Sequence, residues 1–165
     1  MMSAGSKIVS RDGARAARER LREQGRIVVF TNGSFDILHA GHVTYLAFAR
    51  EQGDALMLGL NSDDSVRRYK GEKRPINSQD DRALVVAALA CVDYVVIFDE
   101  DEPLQLIEDL QPDVLVKGED WAHHVSGRDL VERSGGRVVL APLVQGRSTT
   151  HIIQRIKEAY VGEAP

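Results

Sequence analysis

RIVVFTNGSFDILHAGHVTYL, Arg26 to Leu46, is the stretch whose reading decides the fold. Ile27 to Thr31 form an apolar strand and Asn32 to Asp36 a tight polar turn. A helix follows, with His39, Gly41 and His42 in its first turn. A buried strand that runs through a glycine-containing turn into a helix N-terminus builds an anion site, because free backbone N–H groups and the positive end of the helix dipole converge there. Two histidines three positions apart at that mouth add side-chain donors. The simplest ligand is a polyphosphate.

Outward from this stretch, strand and helix alternate. The other strands fall at 55–60 (ALMLGL), 93–98 (DYVVIF), 113–117 (DVLVK) and 137–141 (RVVLA). Each is a near-continuous apolar run, which a strand shows when both its faces are covered. The expectation is an α/β, Rossmann-like doubly wound parallel five-stranded sheet with helices on both faces. The helices run through ARAARERLREQ, capped by Ser10 or Asp12, about 41–52, a short piece after Asp64, QDDRALVVAALA capped by Ser78, LQLIEDL, DLVERS and HIIQRIKEAY. Residues 1–25 read as a tail, loosely ordered at its start, and a helix; 26–160 as the main domain; 161–165 as a C-terminal tail. In such sheets ligands bind outside the carboxyl ends of the strands. The loops 32–42, 61–77, 117–121 and 143–150 should therefore face one crevice.

Composition narrows the classes. With 165 residues, 43% of them hydrophobic, the chain can bury a full core. The net charge of −4, from 21 basic and 25 acidic residues, comes without a Lys/Arg run, which speaks against nucleic acid and membrane surfaces as partners. The single cysteine, Cys91, lies in an apolar run and reads as a core thiol. No apolar stretch reaches the roughly 18 residues of a membrane span and the N-terminus lacks a signal-type apolar region, so a cytoplasmic protein is expected.

HAGH at 39–42 after TNGSFD, together with GRSTT at 146–150 opening the last helix, resembles the nucleotidyltransferase superfamily marked by HxGH and a Ser/Thr-rich terminal motif. FDILHAGHVTYL, NSDDSVRRYKGEKRPIN, VKGEDW and GRSTTHII together resemble the adenylyltransferase half of bacterial ADP-heptose synthases, here expected to stand without the sugar-kinase domain. The resemblance implies transfer of AMP from ATP to a sugar 1-phosphate, D-glycero-β-D-manno-heptose 1-phosphate first, giving ADP-heptose and pyrophosphate. It also implies magnesium bound through the ATP phosphates, a homodimer, and a separate kinase that supplies the sugar phosphate. Cytidylyl transfer to a polyol phosphate such as glycerol 3-phosphate is the alternative, and a nucleotide-binding module without catalysis a further one. Leu143-Val144-Gln145-Gly146 stands where glycerol-3-phosphate cytidylyltransferases carry Arg-Thr-Glu-Gly, which favours ATP, whereas Gly118-Glu119-Asp120-Trp121 leans toward those enzymes.

The residue roles follow the resemblance. His39, His42 and Lys70 are the catalytic set, the histidines donating to the triphosphate and Lys70 bridging the two reacting phosphates. The bland readings are two structural histidines and a solvated lysine, and Lys73 and Arg74 share the question with Lys70. Thr31, Asn32, Gly33, Ser34, Phe35 and Gly41 form the cradle, with Ser34 where close relatives often have cysteine. Gly33 and Gly41 admit phosphate to the backbone and at the same time serve a turn and a close helix-sheet contact. Arg147, Ser148, Thr149 and Thr150 hold the β- and γ-phosphates, one hydroxyl capping the helix in any case. Lys117, Gly118 and Asp120 contribute a nucleoside or sugar pocket, with Trp121 stacking there or covering core. Asp36 braces its loop or orients a metal. Arg82 points to phosphate or pairs with Asp80 or Asp81. No side-chain cluster has metal-ligand spacing, and His123, His124 and His151 read as surface residues.

Overall fold

The computed structural model describes residues 3–161. In chain order the elements are α1 (Arg11–Glu23), β1 (Val28–Gly33), α2 (Ala40–Arg50), β2 (Ala55–Asn61), α3 (Asp63–Lys70), α4 (Gln79–Ala87), β3 (Tyr94–Phe98), α5 (Leu104–Leu110), β4 (Val114–Gly118), α6 (Arg128–Arg133), β5 (Arg137–Ala141) and α7 (Thr149–Tyr160). The five strands form one sheet in the order β3-β2-β1-β4-β5, and every pairing is parallel. The doubly wound sheet expected from the apolar runs is the one observed.

Alternate residues of each strand feed two separate cores. Val28, Phe30, Met57 and Leu115 pack against Ala14, Ala17 and Leu21 of α1, Leu106, Ile107 and Leu110 of α5 and Val131 of α6. Val29, Leu56, Leu58 and Val114 point the other way, onto Leu46 and Ala49 of α2 and Ala83, Val86 and Ala87 of α4. Covering both faces removes any need for polar alternation, which is why the strands read as unbroken hydrophobic runs.

The structure moves several boundaries. β1 runs on through Asn32 and Gly33, which pair with Gly59 and Leu60 instead of starting a turn. His39 is the N-cap of α2 rather than a residue of its first turn. Ser10, not Asp12, caps α1, its hydroxyl accepting from Gly13 N–H. The segment before α1 is docked: Ile8 bridges to Val95, Val9 N–H donates to Val95 O at 3.0 Å, and Lys7 Nζ donates to Leu89 O and Val92 O at 3.0 and 2.7 Å. It covers the open edge of β3, the usual remedy for an exposed row of strand hydrogen-bonding groups. Of the expected C-terminal tail, residues 162–165 lie outside the described residues.

Candidate active site

β1 lies between β2 and β4, so the chain winds outward in both directions from the β1/β4 pair. Helices leave the two strands toward opposite faces, and a crevice opens between them at their carboxyl ends. It has a volume of about 610 Å³, within the range of small-molecule sites, and loops from all five strands reach it.

Its floor is the loop after β1. Asp36 is fully buried; its carboxylate accepts from Ile76 N–H at 2.8 Å, Asn77 N–H at 3.0 Å and Arg74 Nε at 2.8 Å. Burial pushes this carboxyl upward, but the two backbone donors and the guanidinium outweigh it and hold it below its ordinary value. Phe35 and Ile37, on either side, sit at φ +45° and +50°. For a β-branched residue this left-handed backbone is strained, and the buried bonds around Asp36 hold it in place. Of the two roles open to Asp36, bracing the loop is the one its contacts describe.

Arg82 takes neither of the roles open to it from the sequence. Its side chain is 1% exposed and donates to Ser34 O at 2.6 Å, Asn77 O at 3.1 Å and Asp63 Oδ1 at 2.8 Å. One guanidinium thus ties the loop after β1 to the start of α3 and to the loop before α4. Neither Asp80 nor Asp81 is among these partners, and the side chain is not one of those that line the crevice described above.

The two histidines stand above this floor, with ring centroids 3.8 Å apart and planes 21° from parallel. Gly41 makes room for them, since a Cβ there would lie 3.0 Å from His39 and from Arg147. The packing reading of Gly41 is the one supported by contact. Burial, followed by the nearby charges of His39 and Lys70, brings His42 down to about 4. Burial and then Arg147 lower His39 as well. Both are neutral at pH 7 and offer one N–H each. Lys70 lies beside them, its Nζ donating to Ser34 Oγ at 2.9 Å; burial and then the charge of Arg74 lower it.

The opposite rim comes from the last helix. Ser148 is its N-cap and accepts from His151 N–H at 3.1 Å, while Thr149 Oγ1 donates to Asp36 O at 2.6 Å. Thr150 and Arg147 are exposed on the crevice side. The third wall carries Lys117, Gly118, Asp120 and Trp121 at the end of β4. Lys117 Nζ donates to Asn32 Oδ1, and burial pushes it down to about 8 against the pull of Glu102 and Asp120.

Of the sequence-predicted residues, Asn32, Gly33, Ser34, Phe35, His39, Gly41, His42, Lys70, Lys117, Gly118, Asp120, Arg147, Ser148, Thr149 and Thr150 all line the crevice. Thr31 does not. It is fully buried, its hydroxyl lies 2.6 Å from the Tyr45 hydroxyl and donates to Val116 O at 2.9 Å, so it fastens β1 to β4 and to α2. Gly33 is required by packing, since a Cβ would lie 2.9 Å from the Phe35 ring. Sequence reasoning missed Tyr45, Asn61, Asp101, Glu102 and His124, which also line the crevice. DEDEP, an acidic loop at a strand's carboxyl end, was the available signal for Asp101 and Glu102.

Among the described residues, no group of three or more His, Cys, Asp or Glu side chains is arranged to hold a metal ion. The Asp36 carboxylate is occupied by its own loop. A magnesium ion accompanying a nucleotide here would draw its ligands from phosphate oxygens and water. Among the same residues no helix is long and apolar enough to cross a membrane.

Comparison with known proteins gives a consistent answer. The family model described as cytidylyltransferase-like matches residues 30–155. The "Bifunctional protein HldE" of Syntrophotalea carbinolica is 58% identical over 156 residues, which are 94% of this chain and 32% of that one. The protein of that name from Geobacter sulfurreducens is 61% identical over 140 residues, 84% of this chain and 29% of that one. The chain thus spans about a third of the length of the curated relatives it matches. Among solved structures, the lipopolysaccharide core biosynthesis protein from Thermoplasma volcanium GSS1 superposes with a TM-score of 0.60 at 27% identity, covering 74% of this chain and all of that one. Pantoate-beta-alanine ligase from Francisella tularensis does so at 0.61, covering 87% of this chain and 68% of its own, with 15% identity, a likeness of fold.

Proposed function

Because this chain belongs to the cytidylyltransferase-like family of nucleotidyltransferases, we propose that it transfers AMP from ATP to a sugar 1-phosphate, D-glycero-β-D-manno-heptose 1-phosphate, giving ADP-heptose and pyrophosphate. One observation carries the reading: neutral His39 and His42, Lys70, Arg147 and the N-terminus of α7 meet in one crevice at the β1/β4 switch point. The long match to proteins named HldE supports the choice of sugar.

The chemistry asks for this set. A sugar phosphate has its second pKa at about 6, so at neutral pH it is mostly dianionic and needs no general base. One of its oxygens attacks the α-phosphorus; the new P–O bond forms as the bond to the β-phosphate oxygen breaks, and pyrophosphate leaves with the electron pair. No proton has to move. The task is to hold two repelling anions in line and to stabilise charge on the α-phosphate and the leaving group. His39 and His42 donate from neutral rings, so their hydrogen bonds strengthen with developing charge. Lys70 offsets the repulsion between the reacting phosphates, and Arg147 with the α7 N–H groups receives the pyrophosphate. Magnesium, arriving with ATP, supplies further neutralisation of the triphosphate. Asp120, Glu102 and Asp101 give the remaining wall acceptors for sugar hydroxyls.

A kinase that forms the sugar 1-phosphate, a cytoplasmic setting and a homodimer belong to the same reading. Pyrophosphate release across ATP and CTP against heptose 1-phosphate, glycerol 3-phosphate and phosphoethanolamine tests the proposal. Release with ATP and the heptose phosphate alone is expected. Release with CTP and a polyol phosphate would overturn the specificity and keep the chemistry; no release with any pair would leave a binding module.

A further inference from the structure

Arg74 lines the crevice next to Lys70, yet what its guanidinium does there is not explained by the protein around it. Nε is held by the Asp36 carboxylate at 2.8 Å, and the side chain is 14% exposed. Nη2 is sealed from solvent and has no hydrogen-bond partner among the described residues. A buried cationic donor is almost always paired, because leaving it bare forfeits hydration without replacement. Asp36 holds the guanidinium through Nε alone, its two oxygens otherwise accepting from Ile76 and Asn77. Arg74 nevertheless lines the crevice, and a guanidinium gripped from one side there is a pre-oriented donor for phosphate.

The position of Arg74 says which phosphate. Apart from Lys117 at the end of β4, the cationic side chains lining the crevice come in two sets, Arg147 just before α7, packed with the His39 ring around Gly41, and Lys70 and Arg74 in the segment after β2. Arg147 and the α7 N-terminus stand by His39, and the Arg147 charge acts on that ring. Lys70 stands by His42 and acts on it, and Arg74 in turn acts on Lys70. In-line displacement puts the entering and leaving oxygens on opposite sides of the phosphorus. With pyrophosphate received at the α7 end, the entering phosphate belongs at the other. We propose that Arg74, oriented by Asp36, binds the phosphate of the acceptor and so sets the enzyme's affinity for a phosphorylated co-substrate. The assignment of ends rests on the nucleotidyl-transfer reading above.

Calorimetry on the full chain tests this with two probes, a non-hydrolysable methylene analogue of magnesium ATP and inorganic phosphate added to the complex with that analogue. Arg74→Gln is expected to weaken phosphate binding at least tenfold while the analogue's Kd moves less than twofold, and Arg74→Lys to fall between. The bonds from Ile76 and Asn77 to Asp36 remain in both variants, and a melting curve confirms that the loop is in place. In turnover, KM for the acceptor should rise at least tenfold with KM for ATP nearly constant. Loss of analogue binding instead, unchanged phosphate binding, or no phosphate binding by the unmodified protein would each overturn the proposal. If no sugar phosphate is turned over, the heptose assignment fails while the phosphate titration still decides the role of Arg74.

Discussion

The floor of the crevice and its α7 rim border the same space, and they are built by opposite means. On the floor, Asp36 and Arg82 are buried, each makes three hydrogen bonds, and each ties separate segments together. The rim has no buried residue in α7, and its side-chain ties to the body include Thr149 to Asp36 O and Leu143 N–H to Glu119. A group fixed through the core keeps its geometry at the cost of desolvated charges that must all be paired. A group on an exposed helix end can yield as ligands enter and leave. The histidines proposed to donate to the reacting phosphate stand above the fixed part, and the helix proposed to receive and release pyrophosphate is the exposed part.

The largest effect should come from the fixed part. His42→Ala is expected to lower turnover about a thousandfold, the usual loss for one donor to developing charge, with little change in melting temperature. A matched fall in both would make the ring structural and erase the distinction between floor and chemistry. The same variant should remove a pH dependence. The unfolded chain protonates this histidine near 6.5 and the folded one only at about 4, so stability is full above pH 6.5 and declines as pH falls between those values. With its partial exposure allowed for, that decline is on the order of 2 kcal/mol in denaturant titrations, and His42→Ala should flatten it.

Next in size, Arg82→Met should cost about 3 kcal/mol, because Asp63 and two carbonyls lose a buried partner. That corresponds to a fall of roughly 6–12 °C in a thermal melt. A melt within a degree or two of the unmodified protein would mean that the floor is not held by this residue. The smallest effect belongs to the rim. Ser148→Ala removes the α7 cap and should cost about 1 kcal/mol locally, read as about fivefold faster amide hydrogen exchange in the first turn of α7. A drop in global melting temperature as large as that of Arg82→Met would show that the rim is no looser than the floor.

Much of this was legible in the linear chain because it depends on local patterns. Apolar runs separated by helical periodicity imply the parallel sheet, and the carboxyl-end rule by itself places four loops in one crevice. His39, His42, Lys70 and the Ser148–Thr150 cap were found by motif and end up lining that crevice. Thr31 was misread because polarity inside a strand looks like a ligand group until its partner across the sheet is seen. For Gly33 and Gly41 the packing half of a double role shows only in the structure, where the Phe35 and His39 rings leave no easy room for a Cβ.

Sequence by itself therefore determined the fold class, the succession of strands and helices along the chain and the end of the sheet at which the crevice opens, since periodicity, caps and helix N-termini act over a few residues. Tertiary structure alone decided what each charge is for. Arg82 and Arg74 lie eight positions apart in one polar segment and look alike in the sequence. One is saturated by Ser34, Asn77 and Asp63, and the other keeps an Nη2 without a partner among the described residues. The difference arises because hydrogen-bond saturation depends on groups that come from distant parts of the chain, and these meet only when the sheet has closed around them.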